Sequence, residues 1–66
     1  MQITLNGQPR LATDDISLTE LVHQVSDRVT GIAVALNSEV VPRGSWDSTV
    51  LSAGDRVDVV TAVQGG

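Results

Sequence analysis

The chain has 66 residues, with eight acidic side chains against four arginines and a net charge of −4. This length allows one domain, and the absence of cysteine excludes disulfides and thiolate metal sites. The acidic balance argues against nucleic acid as a partner, because nucleic-acid binding depends on Lys and Arg. No apolar run approaches the ~20 residues of a membrane span, and no signal-peptide pattern opens the sequence. We therefore expect a single cytoplasmic domain spanning residues 1–66.

The first predicted elements are two strands joined by a tight turn. Apolar and polar residues alternate over residues 1–5, which is the pattern of a half-buried strand. Asn6-Gly7 is the commonest pair for a type I′ turn, because both positions need a positive φ. A second strand is predicted over residues 8–12, where Pro9 restricts it to an edge or to a position without a ladder hydrogen bond.

A helix start is marked next. Ser17 and Glu20 have the spacing of a capping box, in which each side chain accepts from the other residue's backbone N–H. Ile16 before the cap and Leu21 after it can form a hydrophobic staple. An apolar stripe with helical spacing follows, formed by Leu18, Leu21, Val22 and Val25. The helix is expected to end near residues 27–30, with Gly31 available as the terminating residue.

Three further strands are predicted after the helix. Ile32–Leu36 is a continuous apolar run, which is typical of a central strand buried on both faces. A turn at Asn37-Ser38 leads into a short strand, Glu39–Val41, and a short helical turn is expected near Val50. The last strand covers residues 56–63 after a turn at residues 53–55. Its two faces carry Val57, Val59 and Val63 on one side and Val60 and Ala62 on the other.

This order of elements predicts an α+β fold, the β-grasp of ubiquitin-like proteins, with a mixed sheet of four to five strands and one helix packed across it. In that arrangement the first and last strands pair in parallel at the centre. The C-terminal tail would therefore leave from the middle of the sheet.

The sequence ends in Gln64-Gly65-Gly66, which we expect to form a flexible tail. One interpretation is a frayed end, since termini often carry small residues. The other is chemical. Three extended residues reach about 10 Å, and glycines can pass through a narrow channel because they lack a Cβ. The Gly66 carboxylate is unhindered for attack on a phosphate of ATP, and with neither Cys nor Lys the chain has no side chain to consume its own activated terminus.

Several short motifs are spread along the whole chain. They are Ile3-Thr4-Leu5-Asn6-Gly7, Ala33-Val34-Ala35-Leu36-Asn37, Val41-Pro42-Arg43 followed by Trp46, then Leu51, Gly54-Asp55 and Val63-Gln64-Gly65-Gly66. At this spacing they resemble the ThiS family, the ubiquitin-like sulfur carriers of thiamine biosynthesis, and the resemblance covers residues 1–66.

The resemblance implies a mechanism. A ubiquitin-activating-like adenylyltransferase would use ATP to adenylate Gly66, and sulfur from a cysteine-derived persulfide would replace the adenylate to leave a thiocarboxylate. Thiazole synthase would take that sulfur for the thiazole ring of thiamine. Gln64, Gly65 and Gly66 would thread into the partners' active sites. The carrier would be a monomer, not an enzyme, and would bind no metal or cofactor itself.

Other interpretations stay open at this point. The small subunit of molybdopterin synthase, or another sulfur carrier, shares the Gly-Gly end, but that subunit often has a proline pair before it, which Thr61-Ala62-Val63-Gln64 lacks. A ubiquitin-like protein modifier shares the activation chemistry and predicts amide-linked adducts. A non-carrier binding module would not need a free Gly-Gly terminus.

Five residues outside the tail are candidates for a partner surface: Val60, Ala62, Arg43, Trp46 and Asp58. Val60 and Ala62 fall on the outer sheet face, and exposed apolar patches tend to mark interfaces. Two roles are considered for Trp46 and Arg43. One is packing, with the guanidinium stacked on the indole, and the other is binding to a partner. Asp58 is open between solvation and contact with a basic activating enzyme.

His23, the sole histidine, is a conceivable base or ligand. It lies away from the apolar stripe of the helix, and no nucleophile or carboxylate pair is placed around it. We expect it to be a solvated surface residue.

Overall fold

The computed structural model describes residues 1–26 and 31–61. Five strands, one α-helix and one 3-10 turn are formed within them. In chain order they are β1 (Gln2–Leu5), β2 (Gln8–Leu11), α1 (Leu18–Val25), β3 (Ile32–Leu36), β4 (Glu39–Val41), the 3-10 turn (Arg43–Ser45) and β5 (Arg56–Thr61).

The strands form one mixed sheet in the order β2-β1-β5-β3-β4. The two interior neighbours β1 and β5 run parallel, and the other adjacent pairs run antiparallel. This is the predicted β-grasp arrangement. The strand that leads into the tail lies at its centre, and β2, which contains Pro9, lies at an edge as expected.

Both hairpins turn at the residue pairs that the sequence marks. Asn6 and Gly7 have φ values of 50° and 81°, and Asn37 and Ser38 have 51° and 73°. Two consecutive residues with positive φ match the right-handed twist of the flanking strands, which is why Asn and Gly are favoured there.

The helix begins as predicted and ends early. The Ser17 Oγ accepts from the Glu20 N–H at 3.1 Å, and the Glu20 Oε1 accepts from the Ser17 N–H at 3.1 Å, which completes the capping box. At the other end Ser26 is extended, with φ −147° and ψ 137°. The helix therefore ends at Val25, earlier than the predicted end near residues 27–30. Those residues themselves lie outside the described part of the chain, and Gly31 does not terminate the helix.

The core lies between the helix and one face of the sheet. Its fully buried side chains come from three strands and from α1, namely Ile3, Leu18, Leu21, Val22, Val34 and Val57, and Ile16, Trp46 and Leu51 complete it. Ile16 and Leu21 share this cluster, as expected for a hydrophobic staple.

The other sheet face is open, which corrects one prediction. Val34 in β3 is buried, but its neighbour Ala33 is exposed. Ile32–Leu36 is thus not buried on both faces, because one helix covers one face only. Alanine is apolar but small, so it occupies the exposed face at little cost and conceals the alternation of inward and outward residues.

The short helical turn also lies elsewhere than predicted. It forms at Arg43–Ser45, whereas Val50 makes an isolated bridge with Ser17. That bridge ties the segment before β5 to the start of α1, through Leu18 N–H to Thr49 O and Leu51 N–H to Ile16 O, each at 2.9 Å. An extended segment cannot be helical at the same residues. The last strand is described to Thr61, and the predicted extension over residues 62–63 lies outside the described residues.

Candidate functional site

The tail-bearing strand β5 is paired on both sides. It pairs with β3 at five register positions, from Leu36↔Val57 to Ile32↔Thr61, and with β1 at two. Ala62, Gln64, Gly65 and Gly66 follow it in sequence and lie outside the described residues. The structure thus describes the base from which the tail starts.

Two turn asparagines fasten β5 to its neighbours. The Asn6 Oδ1 accepts from the Val59 N–H at 2.7 Å, and the Asn6 N–H donates to Val57 O at 2.9 Å. On the opposite edge the Asn37 Oδ1 accepts from the Arg56 N–H at 2.9 Å, and the Asn37 N–H donates to Arg56 O at 2.7 Å. Sequence reasoning assigned these residues to turns only. The Leu-Asn pair that opens each turn was the available signal for this role. A glycine at the same positions would also allow the positive φ, but it has no side-chain oxygen to accept a hydrogen bond.

The sheet face opposite α1, here called the outer face, carries exposed apolar side chains. Val60 is 59% exposed and pairs across the sheet with Ala33, and Val40 is 74% exposed and pairs with Ala35. Leu11 on edge strand β2 is 81% exposed. The exposure predicted for Val60 is confirmed, and Ala62 lies outside the described residues.

Charge on the outer face is concentrated at its centre. Asp58 shares this face because it pairs with Ala35 in the register of β3 and β5. Its Oδ2 lies 3.5 Å from the Nε of Arg56. The Asp58 carboxylate is therefore partly neutralised within the chain, although it remains accessible beside the apolar patch.

Trp46 and Arg43 lie on the helix side of the sheet and not on the outer face. Trp46 is 4% exposed, and its Nε1–H donates to Val41 O at 2.9 Å, so packing is its role in the structure. A nearly buried indole presents little area to a partner. Arg43, which is exposed at the start of the 3-10 turn, remains available.

His23 is exposed, as predicted, and lines a small cleft. We call this the Arg43 cleft; its lining residues are Thr19, His23, Arg43, Trp46 and Asp47. The Thr19 hydroxyl donates to Asp47 Oδ1, so it is not directed at the imidazole. The arrangement provides no activated nucleophile.

Over residues 1–26 and 31–61, no group of three or more His, Cys, Asp or Glu side chains is arranged to hold a metal ion. None of the helices in this same part of the chain has the length and hydropathy of a membrane-spanning segment.

A five-stranded mixed sheet crossed by one helix, with the C-terminal strand at its centre, defines the class: a ubiquitin-like β-grasp protein. The ThiS family model matches residues 3–66, and the chain belongs to the ThiS family, the sulfur carriers of thiamine biosynthesis. This agrees with the thiamine branch predicted from the motifs and not with the molybdopterin branch.

Individual relatives agree with the family assignment. The sulfur carrier protein ThiS of Escherichia coli K12 is 32% identical over 66 residues, which is the full length of both chains. The crystal structure of the thiamine biosynthesis protein ThiS from Geobacter metallireducens superposes with a TM-score of 0.88 at 30% identity, again over all of both chains. A thiazole synthase of Magnetococcus marinus is 35% identical over 66 residues, which make up 20% of that protein.

Proposed function

We propose that the carboxylate of Gly66 is the working group of this sulfur carrier. The observation that carries the proposal is the position of β5, the interior strand that leads directly into residues 62–66. Because β5 is paired with β1 at its start and with β3 as far as Thr61, its position relative to the outer face is fixed up to that residue. A partner that docks there can thus receive the tail in its active site.

The chemistry proceeds in three steps. The Gly66 carboxylate attacks the α-phosphate of ATP bound to the activating enzyme, pyrophosphate leaves, and an acyl adenylate forms. The terminal sulfur of a persulfide then attacks the acyl carbon and AMP leaves. A thiol finally cleaves the resulting acyl disulfide by exchange, which leaves the thiocarboxylate on Gly66.

Catalysis belongs to the partners in this proposal. The carrier supplies a terminus and a docking surface, and its residues Gln64, Gly65 and Gly66 enter the active site of each partner enzyme. The polar side chains around His23 include no activated nucleophile, since the Thr19 hydroxyl is bonded to Asp47. We propose that the carrier itself binds no metal or cofactor and acts as a monomer. Because activation consumes ATP, we propose that it takes place in the cytoplasm.

Thiazole synthase is the proposed acceptor of the sulfur. The thiazole synthases of Magnetococcus marinus and Paramagnetospirillum magneticum each match this whole chain with about one fifth of their length, at 35% and 26% identity. A carrier-like segment within the same polypeptide as the synthase supports a direct transfer between the two.

The outer face is the proposed docking surface for the activating enzyme. It presents Val60 and Ala33 as an apolar centre, with Asp58 beside them. Apolar side chains suit the desolvated core of an interface, and the neighbouring carboxylate favours a basic partner. Ala62 would extend this surface, and Arg43 lies apart from it.

The proposal is tested by the intact mass of the protein after incubation with ATP, an adenylyltransferase and a persulfide donor. We expect a mass gain equal to the exchange of one oxygen for sulfur, localised by fragmentation to Gly66. An unchanged mass, with an activating enzyme shown to be competent on another carrier, contradicts it.

A ubiquitin-like modifier would behave differently in the same assay. It would form amide-linked adducts with lysines of other proteins, which persist after thiols are added. A thiocarboxylate is instead consumed by alkylating reagents and disappears when thiazole synthase and its substrates are added.

A further inference from the structure

We propose that the Arg43 cleft binds an acidic side chain, Asp or Glu, of a partner protein. The cleft lies between α1 and the 3-10 turn, on the side of the sheet away from the outer face. It has no part in the chemistry of the tail, so the proposal stands apart from the function proposed above.

The cleft is held in shape by the chain itself. Trp46 is fixed by its Nε1–H bond to Val41 O at 2.9 Å. The Thr19 hydroxyl bonds to Asp47 and ties α1 to the segment after the 3-10 turn. The Thr49 hydroxyl donates to Ser45 O at 2.6 Å, which secures the turn that carries Arg43. A site whose walls are already ordered loses little entropy when a ligand enters.

Charge points to an anionic occupant. Arg43 is exposed and forms no ion pair within residues 1–26 and 31–61, whereas Arg56, in the same acidic chain, is paired with Asp58 at 3.5 Å. Asp47 lines the same cleft, but its Oδ1 accepts from Thr19 and not from Arg43. The Arg43 guanidinium, which has no carboxylate partner among the described residues, is a planar donor that matches a carboxylate, and the imidazole of His23 lines the same cleft.

Size indicates a single side chain as the occupant. The cleft has a volume of about 230 Å³, below the ~300–1,000 Å³ of sites that take cofactors or drug-sized molecules. Aspartate or glutamate presented on a partner's backbone can enter a cleft of this size.

The position of the cleft allows an acidic residue to bind there while another protein covers the outer face. α1 and the outer face lie on opposite sides of the sheet, so a partner seated on the outer face leaves the Arg43 cleft open. An acidic residue there would hold the carrier from its helix side.

The proposal is tested by NMR titration of the free carrier with an acetylated, amidated peptide that contains two glutamates among glycines and serines. The control peptide has glutamines at the same two positions. We expect the glutamate peptide to shift the amides of Thr19 and Arg43 and the indole N–H of Trp46, and the glutamine peptide to leave them in place. Added salt should weaken the response, because an exposed ion pair is screened.

Variants identify the group responsible. Arg43→Gln removes the charge and keeps the backbone bond from Trp46 N–H to the residue-43 carbonyl, and should lower the affinity for the glutamate peptide about threefold. Arg56→Gln is the matched control and should leave the affinity unchanged. Asp47→Asn keeps an acceptor for Thr19 but removes a repelling charge, and should raise the affinity severalfold.

Four results would overturn the proposal: no shifts at millimolar glutamate peptide, equal shifts with the glutamine peptide, an unchanged response in Arg43→Gln, or saturation by inorganic phosphate alone without any response to the peptide. None of them bears on sulfur loading of Gly66, so the two proposals fail independently.

Discussion

The side-chain oxygen of Asn6 accepts a hydrogen bond from the Val59 N–H at 2.7 Å, although 53 positions separate the two residues in sequence. β1 pairs with β5 at Thr4 and Leu5 only, and the chain then turns away at Asn6-Gly7. The asparagine thus continues the hydrogen bonding of β5 beyond the end of its partner strand.

Replacing Asn6 tests this bond. Asn6→Gly keeps the positive φ but removes the acceptor, so we expect a loss of about 1 kcal/mol in the free energy of unfolding. Asn6→Asp keeps an acceptor and tolerates the same backbone angles, so it should stay within ~0.5 kcal/mol of the wild type. Urea unfolding followed by circular dichroism measures both. Equal stabilities for the two variants would show that the bond contributes nothing.

Trp46 is predicted to be a structural residue. Trp46→Ala should cost about 3–5 kcal/mol, which is comparable with the whole stability of a domain this small, so the variant should be largely unfolded at room temperature. Trp46→Phe keeps most of the apolar contact but leaves Val41 O without its indole donor, and should cost about 1–3 kcal/mol. Thermal melts measure the stability of both variants. A Trp46→Ala variant with wild-type stability would contradict the structural role of Trp46.

Deleting Gly66 should abolish sulfur loading while the fold persists. The new terminus, one residue shorter, would not reach the adenylation site, and the buried core is formed by residues between Ile3 and Val57. Intact mass after the activation reaction and a thermal melt of the same sample give the two readouts. Loading of the truncated chain at the normal rate would refute the tail mechanism.

Val60→Asp should impair activation while the fold persists. The side chain is 59% exposed on the outer face, so a charge there is hydrated when the carrier is free but must be desolvated at an apolar interface. We expect kcat/KM for adenylation to fall about tenfold. Val50→Asp is the matched control, since Val50 is 52% exposed but bridges Ser17 at the start of α1. Similar effects of the two substitutions would argue against the outer face as the docking surface.

His23→Ala should leave the rate of sulfur loading unchanged when the activating enzyme is saturating. The side chain is exposed on α1 and has no placed nucleophile beside it, and surface substitutions of this kind change stability by no more than about 0.5 kcal/mol. Single-turnover formation of the thiocarboxylate is the appropriate measurement. A large decrease in that rate would assign a chemical role to the imidazole.

The elements that the sequence predicted well are those specified by neighbouring residues. The capping box of Ser17 and Glu20 and the turn at Asn6-Gly7 depend on contacts three residues apart or fewer, and both formed as expected. The helix end was misplaced because Gly31 is a strong terminator signal, while the extended Ser26 that ends the helix carries none.

Features that depend on distant contacts could not be predicted in this way. The bridge of Val50 to Ser17, the bond from Val59 to Asn6 and the cleft between α1 and the 3-10 turn all join segments that are far apart in sequence. The exposed face of β3 was hidden by alanines, which read as apolar but are small enough to face water. For the site, the tail could be recognised by its composition and by family resemblance, whereas the fastening of β5 required the register of the sheet.

The central place of β5 has a mechanical consequence. A partner that draws the tail inward pulls β5 along its own axis, between neighbours paired with it on both edges. The force is then shared by several hydrogen bonds in shear, and they do not open one after another as they would if an edge strand were peeled away. A domain of marginal thermodynamic stability can thus stay folded when its end is pulled, and it leaves one partner in a folded state that the next partner can bind.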